Sequence, residues 1–211
     1  MPTAAKISVL LVDDHSLVRR GFRRIIEDEK DIAVVGEAGD GEEAIRLATK
    51  LQPKVIVMDC ALPGMNGLVA TRRILDAFPQ IAVLMLSMHS EDTWISQAIQ
   101  AGARGYLLKN AVDLELPAAI RRVAAGEMVI DPQISRPETL KGERHRGLTM
   151  REVEILQLIV NGKSNKEIAS MLDLSVNTVA VHRANIMDAL GIHKTAELVV
   201  YAIRKGLVNL P

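Results

Sequence analysis

The chain has 211 residues, 48% of them hydrophobic and 25% charged, with 26 basic side chains against 26 acidic ones, so it has apolar material for one or two packed domains and no net charge to name a partner. A single cysteine, Cys60, excludes an intrachain disulfide and a cysteine-built metal cluster, and five aromatic residues are too few for a protein that stacks single-stranded bases. The opening "MPTAAKISVLLVDDHS" has an apolar run too short for a signal peptide, and no run approaches the roughly 20 apolar residues of a membrane span, so a cytoplasmic location is expected.

The first ~125 residues alternate between short apolar runs and longer amphipathic stretches. Strand-like runs are "ISVLLV" (7–12), "IAVVGEA" (32–38), "VIVM" (55–58), "IAVLMLS" (81–87) and "GYLL" (105–108). Helical spacing follows each of them, over 16–29, 41–51, 67–78, 92–102 and 113–126. Five βα units with uniformly apolar strands predict a parallel sheet covered by helices on both faces, a flavodoxin-like (βα)5 domain over residues 1–126. From 127 the pattern is lost; two prolines, one glycine and dense charge predict a linker over 127–146. Residues 147–211 contain no strand run and read as four short helices, over 148–162, 164–174, 175–192 and 195–208. Thr149 to Glu152 and Ser164 to Glu167 each fit a capping box, and Gly162 and Gly191 stand where helices end.

Ligands of an open parallel sheet sit outside the carboxyl ends of its strands. Here those ends carry Asp13 and Asp14, then Asp59, Ser87 and Lys109. Any one of these could be a turn residue or a helix cap. Together they bring three mutually repelling carboxylates to one edge, which calls for a cation. An all-oxygen set on a rigid sheet suits Mg²⁺, which keeps waters and accepts phosphate oxygens. Lys109 opposite such a centre could bind the remaining phosphoryl oxygens. Cys60 has no identifiable base beside it and reads as a small buried hydrophobe. His15 and His89 read as loop polarity.

The segments "LLVDDHSLVRRG", "VIVMDCALPGMNG", "VLMLSMHSED" and "GARGYLLKN" together resemble the receiver domain of two-component response regulators, over about residues 7–125. The resemblance implies that Asp59 accepts a phosphoryl group from a histidine kinase. It implies that Asp14, Asp59 and the main-chain carbonyl of Ala61 bind Mg²⁺, with Asp13 holding the ion through water. Ser87 and Lys109 would engage the phosphoryl oxygens, and Tyr106 would be a switch that turns inward as Ser87 moves. Asn110 stands where many receivers have Pro.

The C-terminal part is mildly basic: residues 144–211 hold 9 Lys/Arg against 6 Asp/Glu. Within it, "LDLS" separates two helices as in a helix-turn-helix, and the second offers Asn177, Thr178, His182, Arg183 and Asn185 to phosphates and base edges. "LTMREVEILQLIVNGKSNKEIASMLDLSVNTVAVHRANIMDALGI" resembles the LuxR-type DNA-binding domain, and a receiver followed by it resembles the NarL/FixJ class of transcriptional regulators. The resemblance implies a recognition helix near 175–190 in the major groove of duplex DNA and phosphorylation-promoted homodimers, with 197–204 helping to dimerise the DNA-binding domains. DNA contacts are expected from Lys163, Lys166, Asn177, Thr178, Val181, His182, Arg183, Asn185 and Lys194. The chain departs from the family at Ala180 and Ala184, where lysines are common, and at Asp188, where a basic residue is common.

Three other readings compete. A haloacid-dehalogenase-like phosphatase carries a second acid two residues after its nucleophile, where this chain has Ala61. A flavodoxin-like FMN protein needs a Ser/Thr/Gly phosphate loop after strand 1, where this chain has Asp-Asp-His. A receiver whose helical domain binds only protein fits the basic tilt poorly. The expectation is therefore a phosphoacceptor regulator, not an enzyme in the ordinary sense.

Overall fold

A computed structural model describes residues 6–90, 92–110, 112–134 and 148–204. The N-terminal part alternates β1 (Ile7–Val12), α1 (Ser16–Glu27), β2 (Ile32–Ala38), α2 (Gly41–Leu51), β3 (Val55–Asp59), α3 (Gly67–Ala77), β4 (Ala82–Ser87), α4 (Asp92–Gln100), β5 (Gly105–Leu108) and α5 (Val112–Ala124). All strands are parallel, in the order β2-β1-β3-β4-β5-β6, where β6 is Val129–Ile130. β3 and β4 are buried along their whole length, because helices cover both faces of the sheet. One face packs Leu10, Ile56, Met58, Val83 and Met85 toward α2, α3 and α4; the other packs Val9, Leu11, Val57, Leu84 and Leu86 toward α1 and α5. The alternation of odd and even residues between the two clusters is the period-two geometry of a strand.

Within the residues expected to form the linker, β6 adds a sixth, two-residue strand at the edge of the expected sheet. Val129 pairs with Gly105 and Ile130 with Tyr106, and Ile134 is buried, so residues 129–134 pack with the sheet. A two-residue strand followed by Asp-Pro is too short to show periodicity. Asp131, at 1% exposure, explains why the segment stays: Oδ2 accepts from Leu108 N at 2.9 Å, and Oδ1 accepts from Gln133 N at 2.8 Å. It completes the hydrogen bonding of β5 where β6 has ended, one residue before Lys109. Asp131→Ala should cost about 2–3 kcal/mol, because it strands the buried Leu108 N–H, which had a charged acceptor; a urea unfolding midpoint equal to wild type would contradict this. The rest of the expected linker, 135–146, lies outside the described residues.

The C-terminal helices are α6 (Met150–Val160), α7 (Asn165–Met171), α8 (Val176–Leu190) and α9 (Thr195–Arg204). Both expected capping boxes form, Thr149 with Glu152 and Ser164 with Glu167. Gly191 ends α8 with φ +64° and Gly162 follows α6 with φ +75°. The α7–α8 turn is made by Asp173 in the left-handed region (φ +53°), after which Ser175 caps α8 by accepting from Thr178 N. Ile155, Leu156, Ile168, Val179, Ile186, Leu198 and Ala202 form the shared core of the four helices.

The two parts touch. Arg73 of α3 pairs with Glu154 of α6, and the buried Gln97 of α4 donates to Leu148 O at 3.2 Å. A cleft of about 280 Å³ opens between Met65, Val69 and Arg73 on one side and Leu158, Met171 and Leu172 on the other.

Candidate functional site

β1 and β3 are neighbours although α1, β2 and α2 intervene in sequence, so the chain leaves their carboxyl ends in opposite directions and opens a crevice there. Asp13 and Asp14 follow β1, Asp59 ends β3, Ser87 ends β4, and Lys109 follows β5. All five predicted residues stand at this edge.

Lys109 is the hub. Its Nζ donates to Asp13 Oδ2 at 2.8 Å and to Asp59 Oδ2 at 2.7 Å. Asp59 is 3% exposed and Asp13 2%. Burial raises the Asp59 carboxyl from its ordinary 3.8 to about 6, with Lys109 opposing the shift and the Asp13 charge adding to it. Burial likewise works against the Lys109 ammonium, but Asp59 and Asp13 outweigh it and hold its pKa above the ordinary value. Asp59 Oδ1 accepts from Ala61 N at 3.2 Å. The backbone around the cluster is pinned: Lys109 N donates to Ser87 O at 2.8 Å, Cys60 N to Leu86 O at 3.0 Å, and the Arg19 guanidinium to Asp13 O.

The donor set fits a hard cation. Asp13, Asp14, His15 and Asp59 offer ligand atoms within 4.8 Å of one another. Asp14 Oδ1 is buried without a hydrogen bond; His15 Nδ1 lies 2.7 Å away, but not in hydrogen-bonding geometry, so their attraction is at most electrostatic. The His15 side chain is 65% exposed, and its backbone N–H donates to Asp13 Oδ1 at 2.8 Å. Lys109 is bonded to two of the three carboxylates, which leaves an excess of negative charge that oxygen-preferring Mg²⁺ would balance.

The β4–α4 loop links this edge to the rest of the molecule. Ser87 Oγ accepts from His89 N at 3.1 Å, and Tyr106 Oη donates to His89 O at 2.8 Å. The His89 ring stacks on Trp94, with centroids 4.8 Å apart. Tyr106 is fully buried. Cys60 is also fully buried, and burial pushes its thiol pKa up, as suits a packing residue.

Residues without an assigned role emerge beside Asp59. A Cβ on Gly67 would lie 1.9 Å from Asp59 O, so only glycine lets α3 start this close to the end of β3. Asn66, 2% exposed, caps α3 by accepting from Leu68 N at 2.7 Å. Gly64, at φ +69°, makes the preceding turn. The Pro-Gly and Asn-Gly pairs were the available signal for a tight turn and a helix start.

In α8, Asn177, Val181 and Asn185 share an exposed row with Ala180 and Ala184, while Thr178 and His182 are half-buried on its flank. Arg183 is turned inward across the domain: it donates to Asn165 Oδ1 at 3.0 Å and to Thr195 Oγ1 at 3.2 Å. Lys163 and Lys194 lie 3.9 and 3.5 Å from Glu167 and Glu197, and Lys166 is exposed near the start of α7.

Comparison with known proteins agrees with this geometry. Residues 9–121 match the response regulator receiver domain, and residues 146–202 match the bacterial regulatory proteins of the luxR family. The chain is 38% identical to the oxygen regulatory protein NreC of Staphylococcus carnosus, over 96% of this chain and 100% of that protein. Among solved structures it resembles a LuxR-family two-component response regulator from Aurantimonas (TM-score 0.62, 38% identity, 65% of this chain and 99% of that one). It also resembles RcsB in its complex with DNA (TM-score 0.61, 27% identity, 95% and 98%). Among the described residues, no helix is long and apolar enough to cross a membrane. A receiver's acidic edge and a LuxR-type helix-turn-helix in one chain make this protein a two-component response regulator of the NarL/FixJ class, a transcription regulator with a DNA-binding domain.

Proposed function

We propose that Asp59 is the phosphoacceptor, that a sensor histidine kinase supplies the phosphoryl group to this chain in the cytoplasm, and that acylphosphate formation promotes dimerisation and duplex-DNA binding. The observation that carries this reading is the Lys109 ammonium bonded at once to Asp13 and Asp59 at the carboxyl edge of the sheet. Asp59 Oδ attacks phosphorus, the kinase imidazole leaves, and a mixed anhydride results. A carboxylate is a weak nucleophile, so positioning and charge neutralisation must supply the rate. Mg²⁺ held by Asp14, Asp59 and the Ala61 carbonyl, with Asp13 reaching it through water, would offset charge on the phosphoryl oxygens. Lys109 would turn from Asp59 to a phosphoryl oxygen, and the Ser87 hydroxyl would donate to another. Drawing Ser87 toward the phosphoryl group would tighten the His89–Tyr106 contact. That bias would pass along α4, where Gln97 meets Leu148 at the entry to α6.

Incubation with acetyl phosphate and Mg²⁺ should add one phosphate to wild type and none to Asp59→Asn. Labelling that survives the substitution would sink the assignment. Beryllium fluoride should raise dimer content or DNA affinity, and no change in either would remove the switch.

In the helical domain, Asn177, Thr178, Val181, His182 and Asn185 are proposed to face the groove, with Lys163, Lys166 and Lys194 on phosphates. Arg183, assigned by resemblance to DNA, has its guanidinium bonded within the domain and would have to exchange those partners to reach it. With alanine at 180 and 184 and an acid at 188, few phosphate charges are neutralised along α8. The salt dependence of binding, log K against log salt, should therefore be shallower than in a lysine-rich relative, and Ala180→Lys should steepen it by about 1. An unchanged slope would show that position 180 does not approach phosphate.

A further inference from the structure

The exposed row of α8 has an uneven chemistry. Successive turns present Asn177, then Ala180 and Val181, then Ala184 and Asn185. Val181 is 51% exposed, although burial of its methyl groups would be favourable. The row contains two carboxamides and three small apolar side chains, and no lysine, arginine or glutamine. The helix has one guanidinium, that of Arg183, and it is bonded to Asn165 and Thr195 behind the row. Asp188, one turn further on, is an acceptor in its ionised form and offers nothing to the acceptors O6 and N7 of guanine.

Base edges in the major groove sort these groups. A carboxamide makes two hydrogen bonds to adenine N6 and N7. Alanine and valine methyls pack against the thymine C5-methyl. Guanine is read chiefly by arginine or lysine. From Asn177 to Asn185 the row spans about 12 Å at 1.5 Å per residue, the height of about three to four base pairs.

We infer that α8 reads A·T pairs: Asn177 and Asn185 each contact an adenine, Ala180, Val181 and Ala184 contact thymine methyls between them, and no side chain of the row selects guanine. This rests on the DNA-binding reading above and adds the class of sequence bound. Each half-site would then hold a core of about three to four A·T pairs under α8, with its affinity resting on few phosphate contacts.

The test is selection from random duplex DNA with the full-length chain, with and without beryllium fluoride and Mg²⁺. The expected half-sites carry A or T at three or more adjacent positions. Asn177→Ala and Asn185→Ala, both exposed, should each relax preference at one position by roughly 5- to 150-fold, the value of one bidentate contact. Ala184→Lys should add a guanine preference at one position. Bound duplexes with an invariant G·C pair in the core, or asparagine variants that keep the wild-type preference, would overturn the A·T assignment and leave DNA binding intact. Failure to retain any duplex in either condition would overturn the DNA-binding reading and this inference with it.

Discussion

Replacing the proposed phosphoacceptor should make the metal-free protein more stable. Asp59→Asn is expected to raise unfolding free energy at pH 7 by about 1–2 kcal/mol, against a ceiling of about 3 set by the shift of the carboxyl from 3.8 to about 6. Asp59 is a desolvated charge beside the charge of Asp13, and Lys109 compensates it only in part. Because its folded-state pKa is raised, the native state holds the proton more tightly than the unfolded chain does. The destabilisation is therefore complete above about pH 6, shrinks as pH falls from 6 toward 4, and is gone below that. The advantage of Asp59→Asn should follow the same course. Lys109→Met should do the reverse, costing about 3 kcal/mol at pH 7 by leaving two buried carboxylates without their shared ammonium. Part of that loss should return as Asp59 takes up a proton. Saturating Mg²⁺ should stabilise wild type by about 2–3 kcal/mol at a hundredfold excess over its dissociation constant, and the Asp59→Asn protein much less. Urea titrations with Mg²⁺ or with chelator, at pH 5 and pH 7, separate these outcomes. An Asp59→Asn protein less stable than metal-free wild type would show that the edge is not under electrostatic strain.

The receiver could be read because its strands are uniformly apolar and its polar residues fall one after another at strand ends. Asp13, Asp14, Asp59, Ser87 and Lys109 were each ambiguous alone, and the parallel register turned them into one cluster. The features that escaped depend on contacts with no period. β6 is two residues long, and the buried Asp131 accepts from the backbone N–H groups of Leu108 and Gln133. The contact between Gln97 and Leu148 joins residues 51 apart in sequence through a side chain and a carbonyl, which no pattern encodes.

The helical domain was legible in a different way. Capping boxes and C-terminal glycines are local chemistry, and both boxes formed where the spacing put them. Which face of α8 meets DNA is a question of packing. Val179 and Ile186 are buried, which turns Asn177, Val181 and Asn185 outward and carries Arg183 round toward α7 and α9. Sequence places Arg183 beside the residues proposed to read bases, whereas three-dimensional structure makes it a brace between helices. Substituting it would therefore mix lost packing with any lost DNA contact.

Gly67→Ala should do more damage than any other single methyl group near the site. The added Cβ would fall 1.9 Å from Asp59 O, 3.0 Å from Asp59 C and 3.3 Å from Cys60 Cα. All three neighbours are backbone, so no side-chain rotation relieves the clash. Gly67 N also donates to Cys60 O at 3.1 Å, which ties the start of α3 to the end of β3. To admit the methyl group, one of these elements must move by about 1 Å or more, against the close packing of Met58, Leu68 and Val83. A stability loss of about 3 kcal/mol or more follows, at the upper end of overpacking. A displacement of this size at the proposed nucleophile should lower phosphorylation by acetyl phosphate about 100-fold in whatever fraction remains folded. Gly64→Ala is the control: its φ of +69° costs about 1–2 kcal/mol, but nothing lies within 4 Å of the new Cβ, so labelling at Asp59 should survive. Equal labelling of the Gly67→Ala and Gly64→Ala proteins, measured at urea concentrations where both are folded, would mean that the β3–α3 approach does not position Asp59.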